Sequence, residues 1–279
     1  MIANVRSEFR LMGVVNVTPD SFSDGGAFLE TDAAIAQGRR LAADGADLLD
    51  IGGESTRPGA QPVDAEQELQ RVLPVVTALA GDGAATVSID TSKAAVAGVA
   101  LDAGARYVND VTAFRADPGL AGLVADRGVE CCLMHMLGEP RTMQDDPRYD
   151  DVVSDVKAFL EERLAYAVDA GIQERRIALD PGIGFGKTVD HNLELLRRLD
   201  EIVALGQPVV IGTSRKSFLG RITGRDVTER GPATLATCVV GYLNGARMFR
   251  VHEVAPTRDA LLVTAATVTG RWSSTTTAR

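Results

Sequence analysis

The chain has 279 residues, 45% of them hydrophobic, which suits one large domain with a substantial buried core and excludes a wholly disordered protein. Its net charge of −9 argues against nucleic acid as a general partner, while a local basic cluster can still hold a small anion. No run approaches the roughly 18 apolar residues of a membrane span, and Met1 to Arg10 lacks the apolar stretch of a signal peptide, so a cytoplasmic protein with no membrane association is expected.

A short apolar run, a polar turn and a longer amphipathic segment recur along the chain. The first strand is predicted at Arg10–Val15. A helix capped by Thr31 or Asp32 follows, running to about Ala43 with Gly45 as its stop. After a strand at Leu48–Ile51, Asp64 caps the next helix, with Gln67 placed as in a capping box. Strands at Thr86–Ile89, Tyr107–Val108 and Glu130–Met134 come next, and Asp151 to Ala170 forms the longest helical stretch, ending at Gly171. A strand at Ile177–Leu179 precedes a helical stripe of Leu195, Leu196 and Leu199, and strands at Pro208–Ile211 and Arg247–Phe249 complete a set of eight. Their apolar residues are nearly continuous, as in strands covered on both faces. Alternating strands and helices imply a parallel sheet, and eight units imply a single (β/α)8 TIM barrel of the α/β class, which needs about 250 residues. An open doubly wound sheet is the alternative. The barrel is expected to occupy residues 1–272, and the Ser/Thr-rich tail at 273–279 is expected to be disordered.

Two local patterns are set aside. Cys131, Cys132 and Cys238 form no CxxC pair, so they read as structural thiols. Gly182-Ile-Gly-Phe-Gly-Lys187-Thr188 lacks the first glycine of a P-loop, because Pro181 stands there, and its G-x-G-x-G spacing is not a dinucleotide fingerprint. Its glycines read instead as letting the backbone approach a ligand and bringing Phe185 over it.

Barrel enzymes carry their reacting groups just beyond the C-terminal ends of the strands. Those positions hold Asn16, Glu54 to Arg57, Asp90, Asn109, His135, Asp180, Ser214 to Lys216, Arg250 and His252. Any one of them suits a helix cap as well as a site, but a polar residue at so many successive strand ends favours a shared site. Asp90, Asn109 and Asp180 are suited to a flat heterocycle with several N–H donors, since a carboxylate accepts two side by side. Arg57, Lys216, Arg250 and His252 are donors suited to phosphate oxygens. Other positions have plainer readings: His135 as a satisfied histidine at a strand end, His191 at a helix start, and Lys93 capping or solvating the third helix. Asp24, before Gly25-Gly26, also suits a turn.

Leu11-Met-Gly-Val-Val-Asn-Val-Thr-Pro-Asp-Ser-Phe-Ser-Asp-Gly-Gly26 and Asp50-Ile-Gly-Gly-Glu-Ser-Thr-Arg-Pro-Gly-Ala60 resemble the two N-terminal signatures of dihydropteroate synthases. Further matches follow in order at Ser88-Ile-Asp-Thr-Ser-Lys93, Val108-Asn-Asp110, Leu133-Met-His-Met136, Asp180-Pro-Gly-Ile-Gly-Phe185, Gly212-Thr-Ser-Arg-Lys216 and Arg250-Val-His252. The resemblance covers about residues 11–265.

This resemblance implies a pterin-binding barrel with mobile loops after strands 1 and 2. It would condense p-aminobenzoate with a dihydropterin pyrophosphate, releasing pyrophosphate, as a homodimer. Asp90, Asn109, Met134, Asp180 and Lys216 would hold the pterin. Asn16, Thr56, Arg57, Arg250 and His252 would hold the pyrophosphate, with Mg²⁺ on Asn16. Phe22, Pro58, Phe185 and Ser214 would border p-aminobenzoate, and Asp24, Arg57, Lys216 and Arg250 would be the catalytic groups. Two rivals share the barrel: a pterin-dependent methyltransferase, with no use for the Ser-Arg-Lys and Arg-Val-His anion groups, and a non-catalytic pterin-binding paralogue, which should have lost some of them.

Overall fold

In the first strand, β1 (Arg10–Asn16), successive side chains serve two different cores. Leu11 and Val15 pack outward with the helices, while Met12 belongs to a separate interior cluster. The computed structural model describes residues 9–18, 26–57 and 59–271, with side chains in the first helix described from Glu30 onward. Phe22, Asp24, Pro58 and the 273–279 tail lie outside the described residues.

The same alternation holds in β2 (Leu48–Gly52), β3 (Thr86–Asp90), β4 (Tyr107–Asp110), β5 (Glu130–Met134), β6 (Ile177–Asp180), β7 (Val210–Ile211) and β8 (Met248–Val251). All pair in parallel, in the order β6-β5-β4-β3-β2-β1-β8-β7. A parallel bridge between Leu179 and Val209 joins the two ends, where the Leu179 amide donates to the Pro208 carbonyl at 2.9 Å. The sheet therefore closes into the expected barrel rather than remaining open.

Helices cover the outside: α1 (Gly26–Ala43), α2 (Ala65–Asp82), α3 (Ala94–Asp102), α4 (Gly119–Arg127), α5 (Val152–Asp169), α6 (Val189–Arg197), α7 (Leu199–Val203), α8 (Ser217–Thr223), α9 (Gly231–Leu243) and α10 (Val254–Thr269). The cap expected at Asp64 holds, accepting from the Gln67 amide at 2.8 Å, and Asp151, predicted only as the start of its helix, likewise accepts from the Ser154 amide at 2.8 Å. The cap expected at Thr31 or Asp32 does not hold. Helix α1 starts at Gly26, because Ala27 and Leu29 are helix formers and nothing in the backbone halts the helix before Thr31.

Inside the barrel, Met12, Leu48, Tyr107, Cys132, Ala178, Val210 and Met248 form one apolar layer. Below it, Arg10 pairs with Glu130 at 3.1 Å. Two residues further along the strands the inward positions become polar: Asp50, Asn109, Asp180 and Arg250. The barrel is thus a packed plug with a polar layer on top, as expected of this fold. Truncating Met248 to Ala should empty part of that plug and cost about 2–5 kcal/mol, whereas Ile222→Ala on the exposed side of α8 should change stability by less than about 0.5 kcal/mol. Equal losses in urea denaturation would show that the interior layer is not a packed core.

Candidate active site

The polar layer is organised by Arg250. Strand β8 points Phe249 and Val251 at the helices, which turns Met248 and Arg250 inward. The guanidinium donates from Nε to Asp50 Oδ2 at 2.6 Å and from Nη2 to Asp90 Oδ2 at 2.7 Å. Asp50, itself 0% exposed, also accepts from Ser88 Oγ at 2.6 Å and Asn109 Nδ2 at 3.0 Å. Such saturation is what a buried carboxylate needs to remain charged. Burial pulls the Arg250 pKa down, but Asp50 and Asp90 more than offset it and hold the group above its ordinary value. Burial pushes Asp90 up, against the pull of Arg250.

Asp180, at the end of β6, accepts from the Gly182 amide at 2.7 Å. Burial raises it to about 6, with that amide and Lys216 opposing. Lys216 is drawn down to about 8 by burial and by Arg250, and its Nζ lies 3.7 Å from the Phe185 ring centroid. Phe185 in turn packs with Met134, Met136 and Met143. Met134 and Phe185, both assigned from sequence, therefore share one apolar wall.

On the cationic side, Ser214 Oγ lies 2.9 Å from His252 Nδ1 and accepts from the His252 amide at 3.2 Å. Burial lowers His252 to about 3, and Arg250, Arg215, Arg57 and Lys216 push it the same way. The imidazole is therefore neutral at pH 7, a donor or acceptor rather than a charge. Arg57 is exposed and Thr56 half-buried on the loop after β2, and Asn16 is half-buried at the end of β1. Asn16, Asp90, Asn109, Asp180 and Arg250 come together at one end of the barrel. Arg250 bridges the acceptor and donor groups that the sequence suggested were separate.

Three sequence readings change. Lys93 neither caps nor solvates α3: it makes no side-chain cap and is ion-paired with Glu54 and, at 2.6 Å, with the fully buried Glu68. Glu54 also accepts from the Val63 amide at 3.4 Å, so it joins the two ends of the second loop. The glycines after β6 approach the protein's own backbone: a Cβ on Gly182 would stand 1.8 Å from the His135 carbonyl oxygen, and one on Gly186 would stand 2.8 Å from that of Leu137. Asp50 stands in the second signature but carries no role in the sequence reading, because it lies mid-strand rather than at a strand end. A carboxylate between Leu48-Leu49 and Ile51 in a strand buried on both faces was the available signal. His135, by contrast, is the satisfied histidine expected, with Lys187 Nζ 2.9 Å from its Nδ1, and His191 completes a capping box with Thr188.

Residues 12–252 match the family model described as pterin binding enzyme. Dihydropteroate synthase of Mycobacterium leprae (strain TN) is 47% identical over 264 residues, covering 92% of this chain and 93% of that one. The Escherichia coli (strain K12) dihydropteroate synthase is 42% identical over 261 residues, 94% of this chain and 92% of that one. Among solved structures, Xanthomonas albilineans dihydropteroate synthase with 4-aminobenzoic acid superposes with a TM-score of 0.88 at 50% identity, covering 93% of each chain. The same enzyme in complex with 7,8-dihydropteroate gives 0.85 at 46% identity, again over 93% of each. With a barrel, a polar layer and near-complete coverage all agreeing, the chain belongs to the pterin-binding enzyme family, among the dihydropteroate synthases.

Proposed function

We propose that the residues at the barrel mouth divide the dihydropteroate synthase reaction between a ring-binding half and an anion-binding half. The reaction joins p-aminobenzoate to 6-hydroxymethyl-7,8-dihydropterin pyrophosphate, giving 7,8-dihydropteroate and pyrophosphate in folate biosynthesis. One observation carries the division: two carboxylates, the partly buried Asp90 and the buried Asp180, share the mouth with the cations Arg57, Lys216 and Arg250. On this reading Asp90, Asn109, Asp180 and Lys216 bind the pterin edge, and Met134 packs on its face. Asp50 belongs with them, since it orients both Asn109 and Arg250.

The step breaks the C–O bond between the pterin methylene and pyrophosphate and forms a C–N bond to the aryl amine. Positive charge grows on the pterin methylene, and Asp90 and Asp180 favour it. Negative charge grows on the leaving oxygen, which Arg57, Arg250, Thr56 and neutral His252 meet with N–H and O–H donors. The aniline nitrogen then attacks and loses its proton to water, because an anilinium is acidic enough to need no strong base. Phe185 and Ser214, with Pro58 and Phe22, border the aryl amine, and Asp24 on the first loop completes the closed site. Catalysis is positional and electrostatic, with no covalent enzyme intermediate.

Asn16 suits a Mg²⁺ ion shared with substrate. It supplies one hard oxygen at the mouth, and among the described residues no group of three or more His, Cys, Asp or Glu could hold a metal alone. Mg²⁺ characteristically takes one or two protein ligands and completes its shell with phosphate oxygens and water. When bound it would neutralise charge on the leaving pyrophosphate.

The reading includes a cytoplasmic homodimer. Cys131, Cys132 and Cys238 are buried free thiols, the state a reducing compartment keeps. Helix α9 packs beside α10, and the pair exposes Leu243, Val263 and Val268 at 56%, 66% and 62%, an apolar surface suited to a second copy. No helix among the described residues is long and apolar enough to cross a membrane.

Purified protein given the dihydropterin pyrophosphate, p-aminobenzoate and Mg²⁺ should form dihydropteroate, and a sulfonamide should suppress it. Pterin binding without product would identify a non-catalytic paralogue. Asp180 must be ionised to accept ring N–H groups, and burial raises it to about 6. Its kcat/KM for the pterin substrate should therefore fall about tenfold per pH unit below that value, and Asp180→Asn should remove the Asp180 part of this limb, leaving the part due to Asp90, which burial also raises. The linked stability runs the other way: the free site favours protonated Asp180, and that contribution is lost as pH rises through about 6. A wild-type limb unchanged by Asp180→Asn would assign the titration elsewhere. Light scattering should show a dimer that Leu243→Glu with Val263→Glu converts to monomer; a monomeric wild type would end the dimer reading.

A further inference from the structure

Between β6 and α6, three successive backbone carbonyls are each held by a side chain. Gln144 Nε2 donates to the Gly184 carbonyl at 2.7 Å, Lys187 Nζ to the Phe185 carbonyl at 3.0 Å, and Tyr149 Oη to the Gly186 carbonyl at 2.8 Å. Gln144 and Tyr149 come from the connection between β5 and α5, more than 30 residues away, with separations of 40 and 37. The segment they hold needs holding. Gly182, Gly184 and Gly186 have φ of +67°, +83° and +63°, and glycine carries the largest backbone freedom of any residue.

Lys187 is the informative member. It is 3% exposed, and burial lowers its pKa to about 7. Nothing about packing alone calls for an ammonium there, since a buried charge costs stability unless it is well partnered. Its partners are the Phe185 carbonyl and His135 Nδ1, so its charge is directed at the peptide unit that carries the Phe185 ring. That ring is fixed on its other side by Lys216 Nζ.

We propose that Gln144, Tyr149 and Lys187 are positioning residues that lock Phe185 as a rigid wall of the aryl-amine subsite. The inference rests on the reading of Phe185 given above. The bracket sets the subsite from behind, through backbone carbonyls, and none of its members needs to touch substrate. Gln144 and Tyr149 bond only to the Gly184 and Gly186 carbonyls and to none of the groups assigned to the pterin, so the bracket acts on aryl-amine affinity rather than pterin affinity.

The test is a double-mutant cycle. Tyr149→Phe, Gln144→Leu and Lys187→Met are made singly and again with Phe185→Leu. KM for p-aminobenzoate, kcat and pterin affinity are then measured on the full-length protein. Each single variant should raise KM for p-aminobenzoate roughly fivefold, about what losing one hydrogen bond costs. Pterin affinity should be unchanged in Tyr149→Phe and Gln144→Leu, and Lys187→Arg should recover most of the loss seen in Lys187→Met. In the Phe185→Leu background, whose own KM is already raised, the bracket variants should add nothing. An unchanged KM in Tyr149→Phe and Gln144→Leu, with Phe185→Leu raised, overturns the bracket and leaves the Phe185 reading standing. An unchanged KM in Phe185→Leu removes that reading and the bracket with it. KM effects that add to Phe185→Leu mean the three residues act by a route other than Phe185, and overturn the bracket. Should Lys187→Met fail to fold, the Tyr149 and Gln144 variants decide.

Discussion

A guanidinium on the inner wall of a barrel stays there only if acceptors meet it, because an unpaired buried charge costs more than folding can offset. Arg250 is met by Asp50 on β2 and Asp90 on β3. β1 lies between β8 and β2, so the interaction spans four strands. It exists only because the sheet closes through β1, and it fixes those strands at one level. Asp50 then carries Asn109 and Ser88 with it. The ring-binding face is therefore a single hydrogen-bonded assembly that exists before any ligand arrives. Preorganisation of this kind lets a site favour charge as it develops without first rearranging.

Much of this was legible in the residues. Eight nearly continuous apolar runs required a sheet covered on both faces, and each run became a strand. Strand-end polarity put Asp90, Asn109, Asp180 and Arg250 at one mouth of the barrel, but set Arg250 in a donor group apart from the carboxylates that it bonds to. Parity, applied inside the strands, would have added Asp50: in Leu48-Leu49-Asp50-Ile51 the carboxylate shares its face with Leu48, which lies in the interior layer. What the residues did not disclose was pairing. Arg250 and Asp50 are 200 positions apart, and no local pattern links them. The same holds for Lys93, whose partners Glu54 and Glu68 lie 39 and 25 residues away. A lysine at a helix start reads as solvated until the fold brings two carboxylates to it.

Lys93 and Lys187 hold the two edges of the site by related means. Lys93 anchors Glu54, whose other oxygen takes the Val63 amide, and so secures the base of the loop carrying Thr56 and Arg57. The tip of that loop remains open, since Arg57 is exposed while Glu54 is only half so. The turn with Phe185 is tied at each carbonyl. One edge is thus fixed only at its root, and the other along its length. On the roles proposed above, the difference matches what each edge would do. An anion that enters and leaves as pyrophosphate needs a donor that can follow it, whereas a flat aryl amine is selected best by a wall that does not yield.

The glycine run after β6 shows why motif and mechanism must be separated. Three glycines before a lysine suggest a phosphate loop, yet here Gly182 and Gly186 pack against the backbone of His135 and Leu137, and Gly184 against the Lys216 side chain. Gly182 permits the His135 carbonyl to approach where no Cβ could stand, and the His135 amide takes the Asp180 carbonyl at 2.9 Å. Because β5 and β6 are drawn together at that point, the Gly182 amide is aimed at the Asp180 carboxylate. A side chain at position 182 would push the turn outward and take that amide from Asp180. Burial would then raise the carboxylate further, toward the neutral form that cannot accept two ring N–H groups. On the roles proposed above, Gly182 thus acts on the pterin through the charge state of Asp180, and no phosphate has to come near it.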